Sequence, residues 1–113
     1  MTAQIQIPPL KYVNESKIVR LKQGNGWSVT KGARRGRLEI LAEILLFCEH
    51  QKAKTSIMYK TNLNYAQLKT HLKFLTSQGM LMYDTNKYAT TEKGYHFLEL
   101  CAELNDILRN LNT

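Results

Sequence analysis

The chain changes its hydrophobic period along its length. Leu38, Leu41, Ile44, Leu45 and Cys48 recur at i, i+3 and i+4 and predict a first helix over about residues 37–50. Tyr65, Leu68, Leu72 and Leu75 repeat that spacing and predict a helix from about Tyr65 to Gln78. Asn64 is a good N-cap for it, Gln67 completes a capping box, and Leu63 with Leu68 forms the hydrophobic staple. Gly79 suits a left-handed stop, with Met80 able to touch Leu75 in a Schellman arrangement. Ahead of this helix, Thr55 or Ser56 is placed to cap a short helix ending near Thr61, with Ile57 and Met58 as its apolar positions. After Gly79 the runs become strand-like, with Leu81, Tyr83 and Tyr88 flanking the polar turn Asp84-Thr85-Asn86-Lys87. Thr91 then offers an N-cap, and Glu92 suits the first turn of a last helix over about residues 92–111.

Two helices joined by Asn62-Leu63-Asn64, followed by a hairpin, have the order and connection length of a helix-turn-helix with a wing. The predicted fold class is therefore α+β, mainly α: a winged helix-turn-helix over residues 35–91, a C-terminal helix over 92–113 and a basic extension over 1–34. In the extension, Val19, Leu21, Trp27 and Val29 alternate with polar residues around Gly24-Asn25-Gly26. Parity favours a three-residue loop, which pairs Leu21 with Val29, and so a hairpin over about residues 17–31. A core of about 75 residues is marginal by itself, so burial against a second copy would help. Phe97, Cys101, Leu104, Leu108 and Leu111 follow the 4-3-4-3 spacing of a coiled-coil seam and predict a dimer through the last helix. Leu98, Leu100 and Ile107 widen the stripe, which leaves open a helix packed only on its own domain.

Charge sharpens this picture because it is segregated. Of a net +7, residues 1–37 carry eight Lys/Arg against one acid, and residues 52–93 carry seven Lys against two acids. Residues 38–51 hold three acids and no base, and residues 94–113 hold three acids and Arg109. The basic charge thus falls on the extension and the helix-turn-helix with its wing, which predicts a face for phosphate. Cys48 and Cys101 lie on apolar helical stripes and read as buried free thiols in a reducing compartment. His50, His71 and His96 show no metal-ligand spacing with them, so no metal site and no cofactor is expected. No nucleophile is paired with a base and no glycine loop cradles a phosphate, so the chain reads as a non-enzyme. No apolar run approaches the roughly 20 residues of a membrane span, and no signal peptide is expected. A cytoplasmic, nucleoid-associated location follows as an expectation.

The stretches Arg37-Leu-Glu-Ile-Leu-Ala-Glu-Ile-Leu, Lys54-Thr-Ser-Ile-Met-Tyr-Lys-Thr-Asn-Leu-Asn-Tyr and Tyr88-Ala-Thr-Thr-Glu-Lys-Gly resemble archaeal winged helix-turn-helix DNA-binding proteins. These include predicted transcriptional regulators and small dimeric chromatin-associated proteins. The resemblance spans roughly residues 35–109 and implies DNA binding and a dimer through the last helix. The chain departs from it in the long segment before Arg34 and in a final helix that stops early.

Projection of the Tyr65–Gln78 helix at about 100° per residue puts Leu68 and Leu72 inward and Gln67, Thr70, Lys73 and Ser77 on or near the opposite side. Their amide, hydroxyl and ammonium groups suit a DNA groove. Tyr65 projects inward and reads as core; Phe74 projects outward and reads as packing under the wing or the last helix. Lys54, Lys60, Asn86 and Lys87 are phosphate candidates, and Arg34, Arg35 and Arg37 could enter a minor groove or lie along phosphates. The main expectation is a dimeric double-stranded DNA-binding protein, a transcriptional regulator or chromatin-associated factor, with no small-molecule ligand evident. The alternative is a winged-helix protein-interaction module of a macromolecular assembly. RNA is less supported, because no paired aromatic platform is evident in the sequence.

Overall fold

The structure, a computed structural model, describes residues 36–111, without the side chains of Arg109 and Leu111. The extension, with its expected 17–31 hairpin and with Arg34 and Arg35, lies outside the described residues. Four helices and a small sheet follow in the order α1 (Arg37–Phe47), β1 (Lys52–Ala53), α2 (Lys54–Thr61), α3 (Tyr65–Ser77), β2 (Leu81–Asp84), β3 (Lys87–Thr90) and α4 (Glu92–Leu111). The strands are antiparallel in the order β1-β3-β2. This is the expected helix-turn-helix with a wing.

Helix α1 stops at Phe47, three residues short of the expected His50. Its last carbonyls are taken by the end of the wing: Thr90 donates its N–H to the Cys48 carbonyl at 2.9 Å and its hydroxyl to the Leu45 carbonyl at 2.7 Å. The chain then runs as β1, pairing Lys52 with Tyr88 and Ala53 with Lys87, and enters α2 directly. Helix α2 therefore begins at Lys54, with Ala53 at its N-cap and no side-chain cap, which corrects the expected cap at Thr55 or Ser56. Its far end closes on Asn62 in the left-handed conformation, φ 57°. Asparagine tolerates that region because its short polar side chain bonds locally.

Helix α3 forms as its signals require. Asn64 Oδ1 accepts from the Gln67 N–H at 2.8 Å, and Gln67 Oε1 accepts from the Asn64 N–H at 3.2 Å. At the other end Gly79 takes φ +76°, Met80 donates to the Leu75 carbonyl at 2.9 Å and Gly79 to that of Thr76 at 3.0 Å, a complete Schellman stop. The wing turn has Thr85 and Asn86 both at positive φ, 52° and 64°, between the paired residues Asp84 and Lys87. That is the two-residue type I′ turn, whose twist matches the strands it joins.

The core gathers one stripe from each helix. Leu41, Ala42, Ile44, Leu45 and Cys48 of the α1 segment meet Ile57, Leu63, Leu68, Leu72 and Leu75, with Tyr95, Leu98, Cys101 and Ala102 of α4 closing it. Both cysteines are free and buried, as expected, and burial pushes each thiol up to about 12.

Candidate nucleic-acid interface

Once the apolar stripe of α3 is buried, what remains is a polar face. Gln67, Lys69, Thr70, Lys73 and Ser77 are all exposed. Their chemistry is partly committed to the helix itself. Gln67 holds the capping box through Oε1, so its amide nitrogen is the group left to donate outward. Thr70 donates its hydroxyl to the Ala66 carbonyl at 3.1 Å and Ser77 to that of Phe74 at 2.8 Å. With their protons directed inward, these hydroxyls face solvent as acceptors, the complement of base or sugar donors. Lys69 was missed by the sequence reading, because the projection puts it about 100° from Leu68, at the edge of the buried stripe and not opposite it.

Three other positions depart from expectation. Tyr65 is not core: it is 54% exposed, and the Lys54 ammonium stands 5.0 Å from its ring centroid. It is the first residue of α3, so its inward angle points past the end of the domain core. Phe74 is half-buried, and the Arg37 guanidinium covers its ring at 4.5 Å. Arg37 is thereby the first residue of α1, held against α3, and not part of a free arm. Beside them His71 has a buried Nδ1 with no partner among the described residues, and burial, with Arg37 nearby, lowers its pKa.

The wing adds a second exposed surface. Asn86 and Lys87 stand at its tip as expected. Tyr83, 56% exposed, donates its hydroxyl to Asn86 Oδ1 at 2.8 Å. It lies opposite Tyr88 in the ladder with ring centroids 4.9 Å apart. Burial raises the Tyr88 hydroxyl against the pull of Lys54, and the hydroxyls of Tyr83 and Tyr65 raise it further, so these four side chains share one neighbourhood. On α2, Lys60 is exposed beside Tyr59, which at 86% is the most exposed large apolar side chain described.

On α4 the expected seam divides. Cys101 is 3% exposed and belongs to its own domain's core, while Phe97 and Leu108 are half-buried. The water-facing row is Leu100, Leu104 and Ile107, at 62%, 39% and 57% exposure. Leu111 lies outside the described side chains. Among the described residues no three His, Cys, Asp or Glu are grouped to hold a metal, and no helix is long and apolar enough to cross a membrane.

A model of the winged helix-turn-helix family matches residues 34–109. An uncharacterized protein of the archaeon Methanocaldococcus jannaschii is 31% identical over 78 residues, covering 68% of this chain and 80% of that protein. The crystal structure of Sso10a-2, a DNA-binding protein from Sulfolobus solfataricus, superposes with a TM-score of 0.61 at 30% identity, covering 69% of this chain and 86% of that one.

Proposed function

Since the chain belongs to the winged helix-turn-helix family, we propose that it binds double-stranded DNA as a homodimer, as a transcriptional regulator or chromatin-associated factor. The observation that carries this reading is the polar, lysine-bearing face of α3, built on a helix whose opposite side is wholly committed to the core. In it, α3 enters the major groove, Thr70 and Ser77 accept from base or sugar donors, and Lys69 and Lys73 meet phosphates. The wing tip at Asn86 and Lys87, with Lys54 and Lys60, follows the backbone, joined by Arg34 and Arg35 from the basic extension. The DNA-binding description of the Sulfolobus neighbour supports the ligand. The exposed Leu100, Leu104 and Ile107 row supports the dimer.

Titration of a random duplex at several salt concentrations tests it. A chain making several phosphate contacts gives a steep linear fall of log affinity with log salt, about 0.9 per contact. The double variant T70A/K73A spares both the core and the capping box, so it should fold normally, bind more weakly and lose about one unit of that slope. A wild-type protein with no measurable affinity for duplex at low salt would overturn the reading and favour a protein-interaction module.

A further inference from the structure

The aromatic surface between α3 and the wing has no part in duplex recognition as described above. Tyr65 and Tyr83 are each more than half exposed, although tyrosine in a small domain commonly buries its ring. Each exposed ring is held by a neighbour. Lys54 caps one face of Tyr65, and Tyr83 is braced by Tyr88 across the ladder and by Asn86 through its hydroxyl. Braced rings lose little conformational entropy when something stacks on them. Lys54 and Lys87 border this surface with positive charge, and the acid nearest in sequence, Asp84, is paired in register with Lys87.

Fixed aromatic faces inside a cationic rim are the chemistry of single-strand recognition: rings stack unpaired bases while ammonium groups follow the phosphates. A duplex hides its base faces in the stack and offers these rings nothing comparable. We infer that Tyr65 and Tyr83, with Lys54 and Lys87, form a stacking platform for an unpaired DNA strand, a binding mode that differs from duplex recognition by α3 in its use of the rings, with the two lysines serving phosphates in either mode. The platform takes bases without reading sequence, because every base has a π-face.

The test measures two affinities for each protein by fluorescence anisotropy: a labelled oligo-dT of about 15 nucleotides, within the usual footprint of such platforms, and a labelled random duplex. Wild type should bind oligo-dT. Removal of either ring, in Y65A or Y83A, should lower the single-strand affinity relative to the duplex affinity by about tenfold, the lower part of the range for one lost stack. Y65F and Y83F keep the ring and should retain the wild-type ratio. Both positions are exposed, and circular dichroism is the check that the variants fold. No wild-type binding to oligo-dT, or an unchanged ratio in both alanine variants, would overturn the platform. Loss in the phenylalanine variants equal to that in alanine would also overturn it, because the hydroxyl and not the ring would be the contact. Duplex binding by wild type is scored separately, so failure here leaves the proposed function standing or falling on its own data.

Discussion

Gly94 shows how one residue type is dictated by packing and not by backbone angle. A Cβ there would lie 2.5 Å from the Met80 carbonyl oxygen and 2.6 Å from the Thr90 methyl. G94A should therefore destabilise the domain by roughly 1–3 kcal/mol in urea denaturation, the range for overpacking a close-fitted site. The Thr-Glu-Lys-Gly stretch was legible as a helix start, but the reason for its glycine was not, since the atoms it avoids come from other elements. Thr85 is the opposite case. A β-branched residue at φ 52° is strained, and the sequence marked the turn as polar without showing which two residues take positive φ. T85N should raise stability by about 1 kcal/mol. Titratable residues set the alkaline limit. Burial pushes Cys48, Cys101 and Tyr95 from 9.0, 9.0 and 10.0 up to about 12, so the folded state keeps protons that the unfolded chain releases. Their contribution is complete below pH 9 and is lost as pH rises towards 12. Urea midpoints at pH 8 and pH 10.5 check the sign: the higher pH should give the lower midpoint.

Among the elements, α3 was legible because cap, periodicity and terminus agree, and α4 because its cap and periodicity do. The strand β1 was not. Two residues carry no period, and Lys52–Ala53 is a strand only because β3 lies beside it. The same dependence on neighbours shifted the reading of α4. Its apolar stripe is wide enough for two rows, and sequence alone does not say which row α1 covers. The Cys101 row went to the core and left Leu100, Leu104 and Ile107 in water, again spaced four and three apart. We therefore expect I107E to shift a dimer towards monomer in sedimentation at tens of micromolar, with folding intact, since Ile107 is more than half exposed. A dimer of unchanged strength would remove this row from the interface.

For the whole molecule, charge segregation was the most legible property and Tyr65 the least, because its exposure depends on where the core ends. Deletion of residues 1–34, which hold six of the sixteen Lys and Arg, should make the salt slope of duplex binding shallower and leave the winged domain folded. One joint has a larger consequence. Thr91, at the head of α4, donates its hydroxyl to the Gly79 carbonyl and its N–H to that of Met80, while Gly94 lets α4 press directly on that backbone. The end of α3 and the start of the helix with the apolar row are therefore welded together. In a two-headed assembly such a joint has no hinge with which to adjust its reach. It would act as a caliper, gripping duplex targets whose two grooves fall in phase about every 34–36 Å and engaging out-of-phase targets with one head at a time.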